Sequence, residues 1–263
     1  TNTPHIRLGV RTKEYTMLEG FFLSAGDNRF RWHSWHSPNI EWTLPSEDDG
    51  EKNIFVVYYS KDFMETEVAS TSIILDRKPP WGSFEINRGD KYTNNTLVTL
   101  DLSFYDKLSG VSGVCLSNDG KVWTDWMTYR SPIYNWRLPA GDGTKRVYAY
   151  VHDGAGNIQG IFTSKIELDT SLPMVWFVRL KYLDPTSVEI TWTTDKNCKS
   201  IVEYRLDTDR RKIISIKGDK FTTQHMIRLE DLTPYAKYRF KVIAQDFAGN
   251  ECVSQEYTFI TKD

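Results

Sequence analysis

The segment Val98-Thr99-Leu100-Asp101-Leu102-Ser103-Phe104 alternates apolar and polar residues one for one. Such alternation puts every second side chain on one face, so it predicts a β-strand with a dry side and a wet side. GVCLSND, YNWRLP, KRVYAYVHD and IFTSKIELD read as further strands, separated by Gly, Asn, Asp, Pro and Ser clusters. No segment carries a convincing helical period, so an all-β chain is expected.

The pattern repeats. Leu23-Ser24 matches Leu116-Ser117, Trp32 matches Trp126, and Ser37-Pro38 matches Ser131-Pro132. Trp42-x-Leu44-Pro45 matches Trp136-x-Leu138-Pro139, Asp49-Gly50 matches Asp142-Gly143, and Leu75-Asp76 matches Leu168-Asp169. The separation holds at 93 or 94 residues throughout (23 to 116, 42 to 136), the span of one immunoglobulin-sized sandwich. Three domains are expected, at 1-78, 79-172 and 173-263. The first is incomplete. Leu8 matches Leu100, so Trp81 to Thr93, which should hold the first strand, has no counterpart before Thr1. Either that strand was cut away or it is donated from elsewhere.

The last domain is of a different kind. Trp192 lies in its second strand, and Leu232-Thr-Pro234-x-x-x-Tyr238 places a tyrosine where its hydroxyl ties back to the turn upstream, a tyrosine corner. Through Trp192, Leu232, Pro234 and Tyr238 this domain resembles fibronectin type III domains of bacterial and archaeal secreted enzymes. The first two resemble bacterial and archaeal Ig-like repeats carrying SNDG-x-x-W, W-x-LP-x-GDG and LDT-x-x-P, although the first has SKDFME where the second has HDGAGN. The resemblance implies three tandem immunoglobulin-like or fibronectin type III β-sandwiches in an elongated array. It implies a surface or secreted setting, and modules that space, bind or assemble without catalysing.

A net charge of -2 argues against nucleic acid or an anionic membrane as partner, and no apolar run is long enough to span a bilayer. Nucleophile-elbow, phosphate-loop, metalloprotease and dinucleotide motifs are missing, so no catalytic residue is expected. Trp126, Trp136 and Trp192 sit at repeat or family positions and are expected in the cores. The remaining tryptophans leave room for sugar stacking, but Trp32 and Trp35 face opposite ways in a regular strand.

The segment Asp153-Gly-Ala-Gly-Asn157 returns as Asp246-Phe-Ala-Gly-Asn250. Turn chemistry alone explains both copies, because Gly and Asn accept positive φ and Asp accepts backbone N–H groups. The sharper reading is calcium between domains. Asp76 should approach Asp106, Asp153 and Asn157, and Asp169 should approach Asp195, Asp246 and Asn250, giving the oxygen donors Ca2+ requires. Arg77 and Lys78 are rival neutralisers of the first set.

No cofactor is required by this reading, and Ca2+ is the one ion it admits. Cys198 and Cys252 start strands at one pole, which makes a disulfide geometrically conceivable. Asn94 opens a glycosylation sequon. The expected function is a non-catalytic stalk, spacer, adhesion or assembly module of a larger extracellular or cell-surface protein. Its partners would be other protein domains or subunits. The rivals are a polysaccharide-binding accessory region of a secreted hydrolase and a filament subunit completed by donated strands.

Overall fold

The computed structural model describes residues 1–10, 18–25, 30–34, 39–45, 47–60 and 68–262. The expected Ser37-Pro38 match, Trp35, and most of the SKDFME segment lie outside the described residues. Apart from one 3-10 turn at Asn87–Gly89, the described elements are strands. The chain divides into two compact units. One comprises Thr1–Glu85, Leu100–Ile133 and Arg146–Ser164; the other comprises Ile86–Thr99, Tyr134–Lys145 and Lys165–Asp263.

Six strands open the chain: β1 (His5–Gly9), β2 (Leu18–Ser24), β3 (Arg31–Ser34), β4 (Asn39–Thr43), β5 (Gly50–Ser60) and β6 (Ala69–Leu75). They form a four-stranded sheet, β3-β2-β5-β6, and a two-stranded ribbon, β1-β4. Alternation decides which side chains go in. Phe21, Leu23, Trp42, Leu44 and Ile54 are buried together, with Ile6, Leu8 and Ile40 half-buried against them.

Eight strands follow: β7 (Trp81–Ile86), β8 (Tyr92–Thr93), β9 (Leu97–Tyr105), β10 (Val111–Ser117), β11 (Met127–Thr128), β12 (Ile133–Arg137), β13 (Gly143–Asp153) and β14 (Ile158–Leu168). Their sheet orders are β11-β10-β13-β14-β8 and β12-β9-β7. The alternation seen in the sequence is kept: Val98, Leu100, Leu102 and Phe104 are all buried.

The last strands are β15 (Val175–Asp184), β16 (Ser187–Leu206), β17 (Ile214–Lys217), β18 (Thr222–Leu229), β19 (Lys237–Gln245), β20 (Glu251–Val253) and β21 (Tyr257–Ile260). The sequence reads β16 as two strands, but it runs unbroken for 20 residues. Its first half pairs with β18 and its second half with β19, with a register shift between Thr193 and Cys198. A strand that bends at such an irregularity serves two pairings without a loop. Trp192, Leu232 and Tyr238 are buried in this core, and the Tyr238 hydroxyl accepts the Thr233 N–H at 2.9 Å, closing the tyrosine corner. Pro234 is exposed in that turn.

Candidate functional site

The end of β6 leads into a cluster of carboxylates. Asp76 is 1% exposed, and its Oδ2 accepts both the backbone N–H and the hydroxyl of Ser109, at 3.1 and 2.7 Å. Its Oδ1 accepts the Lys78 N–H at 3.1 Å. Asp153, also 1% exposed, starts the β13–β14 turn. Its two oxygens accept the backbone N–H and the side-chain amide of Asn157, at 2.8 and 2.7 Å. The same amide reaches the Asp76 carbonyl at 2.9 Å. Asp106 folds its own loop: one oxygen collects the N–H groups of Leu108, Ser109 and Gly110 at 3.2, 2.9 and 2.8 Å.

One oxygen each from Asp76, Asp106 and Asp153 lies within 4.8 Å of the others. Among the described residues, no lysine or arginine pairs with any of the three. Arg77 engages Asp49 at 2.6 Å instead, and this hydrogen bond holds the Asp49 carboxyl below its usual range. A cleft of about 390 Å³ opens beside Asp76 and Asp106 and is lined further by the acidic Glu47, Asp48 and Asp49 and by the cationic Arg77, Lys78 and Lys107. The donor set suits a hard cation. Calcium holds oxygens at about 2.3–2.6 Å, so two ligands on one ion sit at most about 5 Å apart.

The end of β14 is built alike, up to the third carboxylate. Asp246, 4% exposed, accepts the backbone N–H and side-chain amide of Asn250 at 2.8 and 2.9 Å. That amide reaches the Asp169 carbonyl at 2.8 Å, as Asn157 reaches that of Asp76. Asp195, however, does not join, which corrects the expected ligand set. It is exposed and accepts the Met174 N–H at 2.7 Å.

Lys196, the residue beside it, turns inward. Its Nζ lies 3.0 and 2.8 Å from the two Asp169 oxygens, 2.7 Å from Asp246 Oδ2, and 2.6 and 3.0 Å from the carbonyl and hydroxyl of Ser171. Burial works to raise the Asp169 pKa, but the hydrogen bonds from Lys196 and Ser171 outweigh it and leave the carboxyl below its usual value. Burial works to lower that of Lys196, and its bonds to Asp169 and Asp246 raise it on balance. Lys196, Ser109 and Ser171 escaped the sequence reading. The one available signal was that a lysine beside Asp195 could take the inward position in its stead.

Both DGAGN-type segments are hairpins. The Asp153 and Asp246 N–H groups donate to the Asn157 and Asn250 carbonyls at 3.1 and 3.0 Å. Gly156 and Gly249 hold φ of 91° and 87°.

Two other expectations are corrected. Cys198 and Cys252 are free thiols, as is buried Cys115. Ala244 on β19 lies opposite Ser200 on one side and Cys252 on the other. Cys252 is therefore about two strand spacings, roughly 9.5 Å, from that part of β16, beyond the 7 Å limit for a bridge. Burial raises the Cys198 thiol to about 11.

Trp126 is 46% exposed and not a core residue. It stands edge-on to His152 at 4.5 Å, on the outer face. Its repeat counterpart Trp32 is also 46% exposed and stands edge-on to Tyr59 at 5.9 Å. Trp136 is half-buried, and Asn94 is exposed between β8 and β9.

Residues 175–260 match the fibronectin type III domain family. Among solved structures, the chain is similar to the FN1–FN3 domains of chicken CNTN1 (12% identity, 100% of this chain and 95% of that one, TM-score 0.48). It is similar to domains A168–A170 from titin (13%, 99% and 100%, TM-score 0.48). A third similarity is to a tetra-tandem repeat in the extending region of a large adhesion protein (12%, 99% and 70%, TM-score 0.29). A search of curated proteins finds no match.

Proposed function

We propose that this chain is a non-catalytic structural module of a larger extracellular or cell-surface protein, and that its working features are the two aspartate-closed strand ends. The observation that carries this is their shared construction. In each, an asparagine of the turn after a long strand bonds to the carbonyl of the aspartate that ends an earlier strand, Asn157 to Asp76 and Asn250 to Asp169. Each tie fixes a turn to the end of an earlier strand. The second strand end carries its own counter-charge in Lys196. The first gathers three carboxylates, and we assign it to Ca2+ held by Asp76, Asp106 and Asp153, with the ion neutralising charge and locking the β6 end. The buried groups do not favour catalysis. Cys198 is moved away from thiolate formation, and His225 is 3% exposed, stacked on Trp192 at 4.9 Å and held neutral.

The test is limited trypsin cleavage at Arg77-Lys78, just beyond Asp76. Calcium should protect this bond and a chelator should expose it. Equal cleavage in both, with no calcium found by elemental analysis, overturns the assignment. The repeated exposure of Trp32 and Trp126 favours a second reading, polysaccharide binding on the outer face. Affinity electrophoresis through polysaccharide gels, with Trp126→Ala as control, decides it: retardation lost on substitution supports the reading, and unretarded migration rejects it.

A further inference from the structure

Strand β15 carries an aromatic side chain in a backbone conformation that suits glycine. Phe177 holds φ at 54°, and its ring is 71% exposed. The cause is a bulge. Trp176 lies opposite Thr193 and Arg179 opposite Thr191, so β15 carries one residue more than β16 over that stretch. A glycine would form the same bulge without steric cost. A bulky residue there costs folding energy, and an exposed ring recovers little of it by packing.

Alternation along β15, β16 and β18 fixes what surrounds the ring. Val178, Leu180, Ile190, Trp192 and Ile227 belong to the core, so the residues between them face outward. These form rows across the three strands: Trp176, Thr193 and Gln224; Arg179, Thr191 and Met226; Lys181, Glu189 and Arg228. Trp176 and Met226 are 43% and 58% exposed. A cleft of about 440 Å³ opens on this face, lined by Phe177, Arg179, Thr191, Thr193, Gln224 and Met226 and backed by the buried Trp192 and His225.

The charge in these rows is positive. Glu189 is their one carboxylate, and Arg228 engages it at 3.3 Å. Arg179 and Lys181 are exposed and have no ion-pair partner among the described residues. Two residues apart on one strand, they stand about 6.7 Å from each other along it.

We propose that this face binds an acidic polysaccharide, a chain of uronic acid units. The C–H face of one sugar ring lies on Phe177, the Arg179 guanidinium donates two parallel N–H bonds to a carboxylate, and Lys181 takes the carboxylate of a neighbouring unit. The hydroxyls of Thr191 and Thr193 and the Gln224 amide both donate and accept, as sugar hydroxyls require. An acidic peptide would satisfy the two cations but would leave these polar groups and the exposed ring unmatched. The site shares no residue with the Ca2+ cluster or with Trp126, so it goes beyond both readings above and is tested apart from them.

The test is isothermal titration of the full 263-residue chain with hexagalacturonate and hexamannuronate, at low salt and in chelator so that no metal ion bridges carboxylates. Saturable binding of at least one is expected. Arg179→Gln should weaken it at least about tenfold, because the bidentate pair is lost. Phe177→Gly should also weaken it at least about tenfold, yet melt at or above the parent, since glycine relieves the backbone. Lost affinity with kept stability is what a purely structural Phe177 would not show. Four results would each overturn the proposal. These are no saturable binding of either sugar, unchanged affinity in either variant, a Phe177→Gly chain that melts well below the parent, or equal binding of polyglutamate or dextran sulfate. The last would mark an acidic protein segment or a plain charge contact.

Discussion

Replacing Lys196 with methionine would leave Asp246, whose side chain is 2% exposed, facing Asp169 without a counter-charge. Breaking a fully buried ion pair costs about 3–5 kcal/mol, and the partial exposure of Lys196 and Asp169 brings this closer to about 2–3 kcal/mol. Chemical denaturation at neutral pH should read that loss. Acid should read part of it in the parent protein. The Asp169 pKa is depressed on folding, so its contribution is present above the unfolded carboxylate value near 4 and lost as pH falls through the lower folded value.

His225 has the other kind of dependence. Burial lowers it to about 4 while its ring nitrogens bond to Thr194 and Ser200 at 2.8 and 2.7 Å. The unfolded state binds more protons between pH 6.5 and 4, so stability should fall by about 3 kcal/mol as pH drops through that window. His225→Leu should flatten this slope in a pH series of urea melts. An unchanged slope would assign it to other groups. Neither group was legible beforehand. A single inward lysine or histidine leaves no periodic trace, and which neighbour of a pair such as Asp195-Lys196 turns inward is settled by the strand's pleat. Trp126 was misjudged for a related reason: repetition marks a shared environment, and here that environment is the outer face.

At the scale of elements, the two hairpins show how far turn chemistry reaches. Positive φ at Gly156 and Gly249 follows from a one-to-one match of hydrogen bonds. Gly156→Ala and Gly249→Ala should each cost about 1 kcal/mol, measured by equilibrium unfolding, because only glycine adopts that backbone freely. A clear inequality would mean that the turns carry different loads despite their common sequence. The strands themselves were legible, since alternation forces one face inward, and the 93-residue separation matched Asp76 to Asp169 and Asp153 to Asp246. Register was not. The Cys198–Cys252 bridge failed because sequence order places both cysteines near strand ends but says nothing of how many strands lie between them.

For the whole molecule, the cation supply differs between the two strand ends. One carries an ammonium covalently, and under the Ca2+ assignment proposed above the other takes its ion from solvent. Asp106→Asn therefore has two opposite expected effects. In chelator it removes one of three converging carboxylates while Asn Oδ1 keeps the loop's backbone acceptor, so the melting temperature should rise. In calcium it removes a ligand, so the gain of about 2.7 kcal/mol expected at one hundred times the Kd should shrink or vanish. Lys196→Met should shift the melt in both conditions alike, because Asp169 and Asp246 alone supply too few oxygens to hold Ca2+ without further ligands. Calorimetry of the three proteins with and without calcium separates these outcomes. A variant at Asp106 that melts below the parent in chelator would mean that the three carboxylates are held apart by their loop bonds and have no need of an ion.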